Sequence, residues 1–438
     1  MIQRATVPMT IALLITTLGF VTLVSVQEAK SPPLIYGSLY AGVMVALYLG
    51  VRLWLPHSDT ILLPITTLLT GVGLLMIYRL TYEVPGVENL APAQAVWILV
   101  GSGTLMFVVV FFRNYHKLFA YKYLLALIAF GLIGSTFTPL GYEVNGARLW
   151  VQVGPVHFQP SEFARIALTI FFAGYLAEKR DLWAATSRSF MGVQLPALKY
   201  FGPVGLVWAV SLVLLVFEKD LGSSLLFFVV PLLMVYAATG RIAYIILGAF
   251  LFAVGSLATY HLFSHVQARV TSWLDPWSDP YGAGFQIAQS LFNIADGGLT
   301  GTGLGRGFSQ TIPNVHTDFI FSTAASELGF LGTTALLLAF LVFVYRGTKI
   351  ALLAEDDASK LLAFGLTAMF AIQTLIIVGG VTKTIPLTGI TLPFVSYGGS
   401  SVVGNFILTA LLLVVSEKAG KRFFEDGEKA KYGAEEAA

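Results

Sequence analysis

Apolar residues in this chain fall in long runs separated by short polar stretches. Twelve of these runs are candidate spans: 8–26, 34–54, 60–79, 94–112, 121–138, 161–177, 201–217, 221–239, 242–261, 319–345, 360–380 and 401–416. Most are about 16 to 25 residues long, enough helix to cross about 30 Å of hydrocarbon. The strict alternation that marks barrel strands is missing. The pattern predicts an all-α polytopic membrane protein, a bundle of about 12 transmembrane helices. The first run, in "MIQRATVPMTIALLITTLGFVTLV", is long and no small-residue cleavage motif follows it, so it reads as a retained helix rather than a signal peptide.

The charges between the runs orient them. An even number of spans puts both termini on one side, and Lys418, Lys421 and Arg422 in the tail make that side the cytoplasm by the positive-inside rule. Arg52, Arg113, Lys117, the basic loop "EKRDLWAATSRSFMGVQLPALKY", Arg241, Arg346, Lys349 and Lys360 fall on the same side, most of the 26 Lys and Arg. Loops 139–160, 262–318 and 382–401 are then external. The 262–318 connection is rich in Gly, Trp, Asp and Pro, and its aromatic content predicts an ordered loop with short helices. The closing "EDGEKAKYGAEEAA" reads as a solvated, poorly ordered tail.

Composition agrees. With 56% hydrophobic and 11% charged residues, the chain lies far from a soluble globule, whose charged fraction is about 25%. It has no cysteine, which excludes disulfides and thiolate metal sites, and its six histidines form no HExxH. A net charge of +2 gives no sign of a nucleic-acid partner; membrane lipids are the expected surroundings.

Four places carry chemistry. Asp318, in "NVHTDFIFSTAASELGFLG", stands with His316 and Thr317 at the mouth of an apolar run. Thr317 or Asp318 reads as a helix N-cap, a role compatible with Asp318 also being a carboxylate whose pKa is raised by apolar walls, suited to accept a proton. Arg148, in "NGARLWVQVGPVHFQPSEFARIAL", precedes a run opened by Glu162 and Arg165. Those two are an ordinary i,i+3 pair or part of a polar cavity between helices. Glu218, Lys219 and Asp220 form either a solvated turn or a buried network. The stretch "TKTIPLTGITLPFVSYGGSS" ends in Ser396, Gly398 and Ser400, backbone donors at a helix start that suit phosphate, with Lys383 nearby; ordinary loop chemistry is the alternative. The glycine-rich "GGLTGTGLGRG" follows no strand, which makes a P-loop reading weak and tight turns the better one.

Taken in order, "NGARLW", "QPSEFAR", "FEKDLG", "WLDPWSDPYGAGFQIAQSLFNIADGGLTGTGLG", "HTDFIFSTAASELG" and "PLTGITLPFVSYGGSS" closely resemble the SEDS family (shape, elongation, division and sporulation), the peptidoglycan glycosyltransferases of RodA and FtsW type. The resemblance covers about residues 60–416 and leans toward the RodA subgroup, hence toward elongation. It implies a ten-helix core at 59–417, an accessory helix pair at 1–58 and a cytoplasmic tail at 418–438. The implied setting is the bacterial inner membrane, and the implied reaction is polymerisation of lipid II into β-1,4-linked glycan on the outer face. A class B penicillin-binding protein is the implied partner. The family's essential aspartate falls on Asp318. Arg148, Glu162, Arg165, Lys219, Asp220, His316, Lys383, Ser396, Gly398 and Ser400 fall in or beside these motifs and are the substrate-binding candidates. The chain departs from the family pattern at Arg165, where the family commonly has lysine, at Leu149, where it has a second arginine, and at Lys219, where it has proline.

For such a reaction one inverting displacement suffices, with Asp318 as base and Arg148, Arg165 and Lys383 as the cations available to the pyrophosphate, Glu162 orienting an arginine. A bridging Mg or Mn ion is compatible with this chemistry, but no ligand cluster in the sequence specifies one. A lipid-precursor flippase and a non-catalytic scaffold of a wall-synthesis complex are the competing classes. The first predicts inverted repeats, and no convincing one is found.

Overall fold

The computed structural model describes residues 2–26, 33–81, 90–144, 147–154, 156–180, 187–190, 193–196 and 198–436. Asn145 and Gly146 of "NGARLW" and much of the basic 181–197 stretch lie outside the described residues.

Every expected span falls on a helix. In chain order these are α1 (Ile2–Val26), α2 (Pro33–Trp54), α3 (Leu62–Thr81), α4 (Leu90–Phe111), the short α5 (His116–Ala120), α6 (Lys122–Gly134), α7 (Pro160–Glu178), α8 (Leu198–Phe217), α9 (Leu221–Thr239), α10 (Ile242–Leu262), α13 (Ile320–Leu353), α14 (Asp357–Val381) and α15 (Gly399–Glu436). Between α10 and α13 lie α11 (Ser264–Leu274) and α12 (Phe285–Asp296), the short helices expected of the long connection. Among the described residues nine helices are long and apolar enough to cross a membrane. Of the other three expected spans, α6 is short, α7 carries Glu162 and Arg165 in its first turns, and α8 has side chains outside the described set.

Four features depart from the sequence pattern. The 139–160 loop forms a small antiparallel sheet, β1 (Gly141–Val144), β2 (Ala147–Val153) and β3 (Val156–Phe158), in the order β1-β2-β3; Tyr142 faces Trp150 across it. A second hairpin joins β4 (Ser187–Phe190) to β5 (Val193–Pro196). Helix α13 runs 34 residues and breaks at Gly329, whose φ of 65° and ψ of −171° leave helical geometry. Finally, α15 continues to Glu436 instead of fraying near 425; Glu, Lys and Ala, which fill that stretch, are good helix formers.

Helices α3, α7, α14 and α15 make up the buried centre. The α1–α2 pair packs on α3 and α4 through close small-residue contacts. The Tyr40 hydroxyl donates to the Thr67 carbonyl, and a side chain at Gly71 would collide with Thr16. Successive spans alternate direction, so the starts of α7, α9, α13 and α15 gather at one end of the bundle together with the last turns of α3, α6 and α14. The chemistry collects there.

Candidate functional site

The Asp318 turn is built by local backbone. Asn314 sits at φ 56°, and its carbonyl accepts from the N–H groups of Thr317 and Asp318 at 3.1 Å each. The N-cap position of α13 is Phe319, with no side-chain capping bond, so Asp318 does not serve as the cap. The turn is instead pinned from outside. The Tyr397 N–H donates to the His316 carbonyl at 2.8 Å, and the Ser396 hydroxyl donates to the Thr317 carbonyl at 2.5 Å while accepting from Leu392 N–H at 2.9 Å. Ser396 is thereby buried and engaged. Ser400 accepts from the Gln159 N–H at 2.8 Å, tying the start of α7 to the start of α15. The Gly398 carbonyl accepts from Val402 N–H inside the first turn of α15.

Against Asp318 stands a residue that sequence reading missed, Arg269 of α11. Its Nη1 donates to the Leu387 carbonyl at 3.0 Å, and one turn on the Trp273 indole donates to the Lys383 carbonyl at 3.1 Å. Gly389, at φ 75°, lies between Asp318 and Arg269; a Cβ there would come within 3.6 Å of Asp318 Oδ2 and 3.7 Å of Arg269 Nη2. Burial raises the Asp318 carboxyl to about 6, with Thr317 and Arg269 holding it from going higher.

The same arginine faces Asp220. Asp220 is buried, caps α9 through Ser223 N–H at 2.8 Å, and keeps its Oδ2 without a hydrogen-bond partner among the described residues. Burial also raises its carboxyl, and Arg269 and Arg165 counter this in part. Arg165 in turn forms a buried ion pair with Glu162, its Nε lacking a hydrogen-bond partner among the described residues. Glu162, Arg165, Asp220, Arg269 and Asp318 therefore form a string of alternating charge from α7 to the mouth of α13. The buried-network reading of "FEKDLG" holds for Asp220 and also for Glu218. Glu218 accepts from the Thr136 hydroxyl at 2.6 Å, and burial pushes it up to about 8.

The remaining candidates lie around this string. Arg148 donates from its backbone to the Glu218 carbonyl at 3.3 Å and from Nη2 to the carbonyls of Thr138 and Gly141 at 3.3 and 3.1 Å, so it braces the sheet against the "FEKDLG" turn. Lys219 is exposed at φ 60° and, with Arg269, depresses the already desolvated His265. Lys383 is half-buried at φ 59°. His316 is held below its usual range by burial, its Nδ1 has no hydrogen-bond partner among the described residues, and its ring lies edge-on to Tyr397 at 5.8 Å. Among the described residues no three His, Asp or Glu converge as metal ligands.

A family model described as "Cell cycle protein", covering FtsW, RodA and SpoVE, matches residues 60–421. The chain belongs to this family. It is 41% identical over 390 residues to the peptidoglycan glycosyltransferase RodA of Mycobacterium tuberculosis, covering 88% of this chain and 83% of that one. It is 36% identical over 366 residues to the stage V sporulation protein E of Bacillus subtilis, covering 82% and 96%. Its fold is similar to a chain in a solved structure described as "Structural coordination of polymerization and crosslinking by a peptidoglycan synthase complex", with a TM-score of 0.56, 26% identity, and coverage of 88% and 97%.

Within the family frame, Arg269 escaped because α11 is a short helix of mixed polarity, where one arginine among Gln, Ser and Thr looks like a solvated face. The signal that could have found it is the i,i+4 spacing of Arg269 and Trp273, which puts both on one helix face.

Proposed function

We propose that this protein is a peptidoglycan glycosyltransferase that polymerises lipid II at the Asp318 end of the bundle, outside the cytoplasmic membrane, in the RodA manner of cell elongation. The observation that carries the reading is Asp318 itself, a carboxylate raised to about 6, fixed by Ser396 and Tyr397, and set beside Arg269 at the head of a buried charge string.

The chemistry follows from that arrangement. As the acceptor GlcNAc 4-hydroxyl attacks C1 of the donor MurNAc, its proton passes to Asp318; the O4–C1 bond forms, the bond from C1 to the pyrophosphate oxygen breaks, and the α linkage inverts to β. Proton transfer of this kind contributes about 10²–10⁴-fold. The leaving undecaprenyl pyrophosphate departs as an anion, so it needs cations rather than an acid. Arg269 and Arg165 line the string, and Arg148, Lys219 and Lys383 complete the positive supply around it. A guanidinium positioned before the reaction stabilises that charge without reorganising. His316, kept neutral, and the backbone at Gly398 are left for the sugar and phosphate oxygens.

The positive-inside asymmetry supports the orientation, with both termini cytoplasmic. A class B penicillin-binding protein is the proposed partner, and the likeness to a chain of a synthase complex that couples polymerisation to crosslinking supports it. The test is purified protein given lipid II, with glycan resolved on a gel. Wild type is expected to build polymer, and Asp318→Asn to lose about 10²-fold or more while still binding lipid II. Polymer at a near wild-type rate from Asp318→Asn would move the base to Glu218 or Asp220.

A further inference from the structure

The glycine-rich run that carried no P-loop has another use. Its backbone lies in the break of α13. Thr302 and Gly303 N–H groups donate to the carbonyls of Ser326 and Glu327 at 2.9 and 3.1 Å, and Phe330 and Leu331 N–H groups donate back to Gly298 and Leu299 at 2.9 and 3.1 Å. Helix carbonyls and amides freed by the interruption at Gly329 are thus satisfied by the loop. The approach is close enough to exclude any side chain. A Cβ on Gly301 would lie 2.1 Å from the Glu327 carbonyl oxygen, and one on Gly329 would lie 2.2 Å from the Gly301 nitrogen.

An ion pair clamps this junction. Glu327, in the segment between Asp318 and the break, accepts from the Gly305 N–H at 2.9 Å and pairs with Arg79 from the last turn of α3; Arg79 also donates to the Gly307 carbonyl. Both residues are only 1% exposed. A buried ion pair is a poor source of stability, because apolar residues of the same volume often serve as well, so its place here asks for another role. Between the clamp and Asp318, residues 320–327 are all buried, and the Ser322 hydroxyl is bonded to Ser290 at 2.5 Å. The stretch can act as one rigid piece.

We propose that the Arg79–Glu327 pair and the 297–307 loop form a latch that positions the base, holding the 320–328 segment, and with it Asp318, where the acceptor hydroxyl is met. Arg79 and Glu327 touch no substrate in this scheme; they act through the segment. The proposal rests on Asp318 being the base, so Asp318→Asn is run beside the latch variants.

The experiment measures kcat and KM for lipid II together with thermal stability in detergent for Arg79→Met, Glu327→Gln, the double variant and Gly301→Ala. The single charge variants are expected to lose stability as well as turnover. The double variant, which leaves no charge unpaired, is expected to regain most of the stability yet keep a kcat about 10²-fold down with KM within about twofold, the signature of a displaced catalytic group. Gly301→Ala, which levers the loop off Glu327 with the ion pair intact, is expected to reproduce that kcat loss. A double variant with near wild-type kcat would overturn the latch and leave simple charge compensation. So would loss of folded protein in both the double variant and Gly301→Ala, which would assign the junction to folding. An active Asp318→Asn would instead remove the base reading on which the latch depends.

Discussion

At the end of the bundle away from Asp318, several ion pairs are seen among the described residues. Glu417 faces His57 at 3.1 Å, Arg346 faces Asp59, His116 faces Asp356 at 2.8 Å, Lys122 faces Glu178 at 2.7 Å, and Arg180 faces Asp357 at 2.5 Å. Lys418 reaches His116 Nδ1 at 3.0 Å and lies over the Tyr115 ring. At the Asp318 end, three carboxylates share two guanidiniums, and Asp220 Oδ2 and Arg165 Nε are buried without hydrogen-bond partners among the described residues. Buried polar atoms are nearly always satisfied in a folded chain, and those that are not call for an explanation. Among the described residues, the charges at one end mostly find partners within the protein, whereas the other end keeps buried bonding capacity unused, in keeping with the charged ligand proposed for it.

The largest way to break this comparison is Asp318→Asn. Beyond the loss of polymer, the substitution should raise thermal stability. The folded carboxyl titrates near 6 against about 3.8 unfolded, so between those values the folded state binds more protons and stability falls as pH rises; at neutral pH the ionised Asp318 is a cost that Asn removes. Turnover of the wild type should rise with pH through about 6, since only the ionised form accepts a proton. A flat kcat between pH 5 and 7 would show that Asp318 is not the titrating base.

Next in size is Arg269→Ala, expected to lower kcat about 10²-fold by removing charge from the leaving pyrophosphate. Because Arg269 also holds down the Asp318 carboxyl, while Asp220 faces the same guanidinium, the acid limb of the pH profile should move upward in this variant. Arg269→Lys keeps the charge but not the fork that reaches Leu387, so partial recovery is expected. Arg148→Ala should cost less, about tenfold in kcat, because its guanidinium is engaged by the Thr138 and Gly141 carbonyls and its backbone by the Glu218 carbonyl, at the edge of the string rather than in it. A loss as deep as that of Arg269→Ala would place Arg148 on the pyrophosphate directly.

The spans were legible and Asp318 stood out as a candidate, and the reason is local. An apolar run of membrane length is its own signal, and Asp318 lies in a contiguous motif. What escaped depends on partners far apart in sequence. Arg269 matters because the 382–389 backbone folds over it, and Arg79 because Glu327 arrives from a different helix. Ser396 and Ser400 read as backbone donors at a helix start; the Ser396 N–H is taken by the Leu392 carbonyl, and the two hydroxyls hold the Thr317 carbonyl and the Gln159 amide, uses that no helix-start pattern reveals. The β1–β3 sheet was hidden inside a loop between spans, its strands too short for alternation to register against the apolar helices around them. The break at Gly329 left no mark because a glycine within a long apolar run is compatible with continuous helix.

The smallest effect on chemistry should come from the finished end. Asp59 accepts from the Ile61 and Leu62 N–H groups at 2.9 Å each, capping α3, and its other oxygen pairs with Arg346, which is 17% exposed at the side chain. Asp59→Asn keeps the capping oxygen and removes only the charge, so it isolates the ion pair. Breaking a fully buried pair costs about 3–5 kcal/mol and an exposed one about 0–1, so this half-buried pair should cost about 1–3 kcal/mol of stability. If pairs at that end serve only the scaffold, kcat and KM for lipid II should stay within about twofold at temperatures below the lowered melting point, because among the described residues none of these pairs contacts the charge string. A kcat loss approaching that of Arg148→Ala in a folded Asp59→Asn would mean that the ends are coupled along α3, from Asp59 at its start to Arg79 in its last turn, and the contrast between a finished end and an open one would no longer divide scaffold from site.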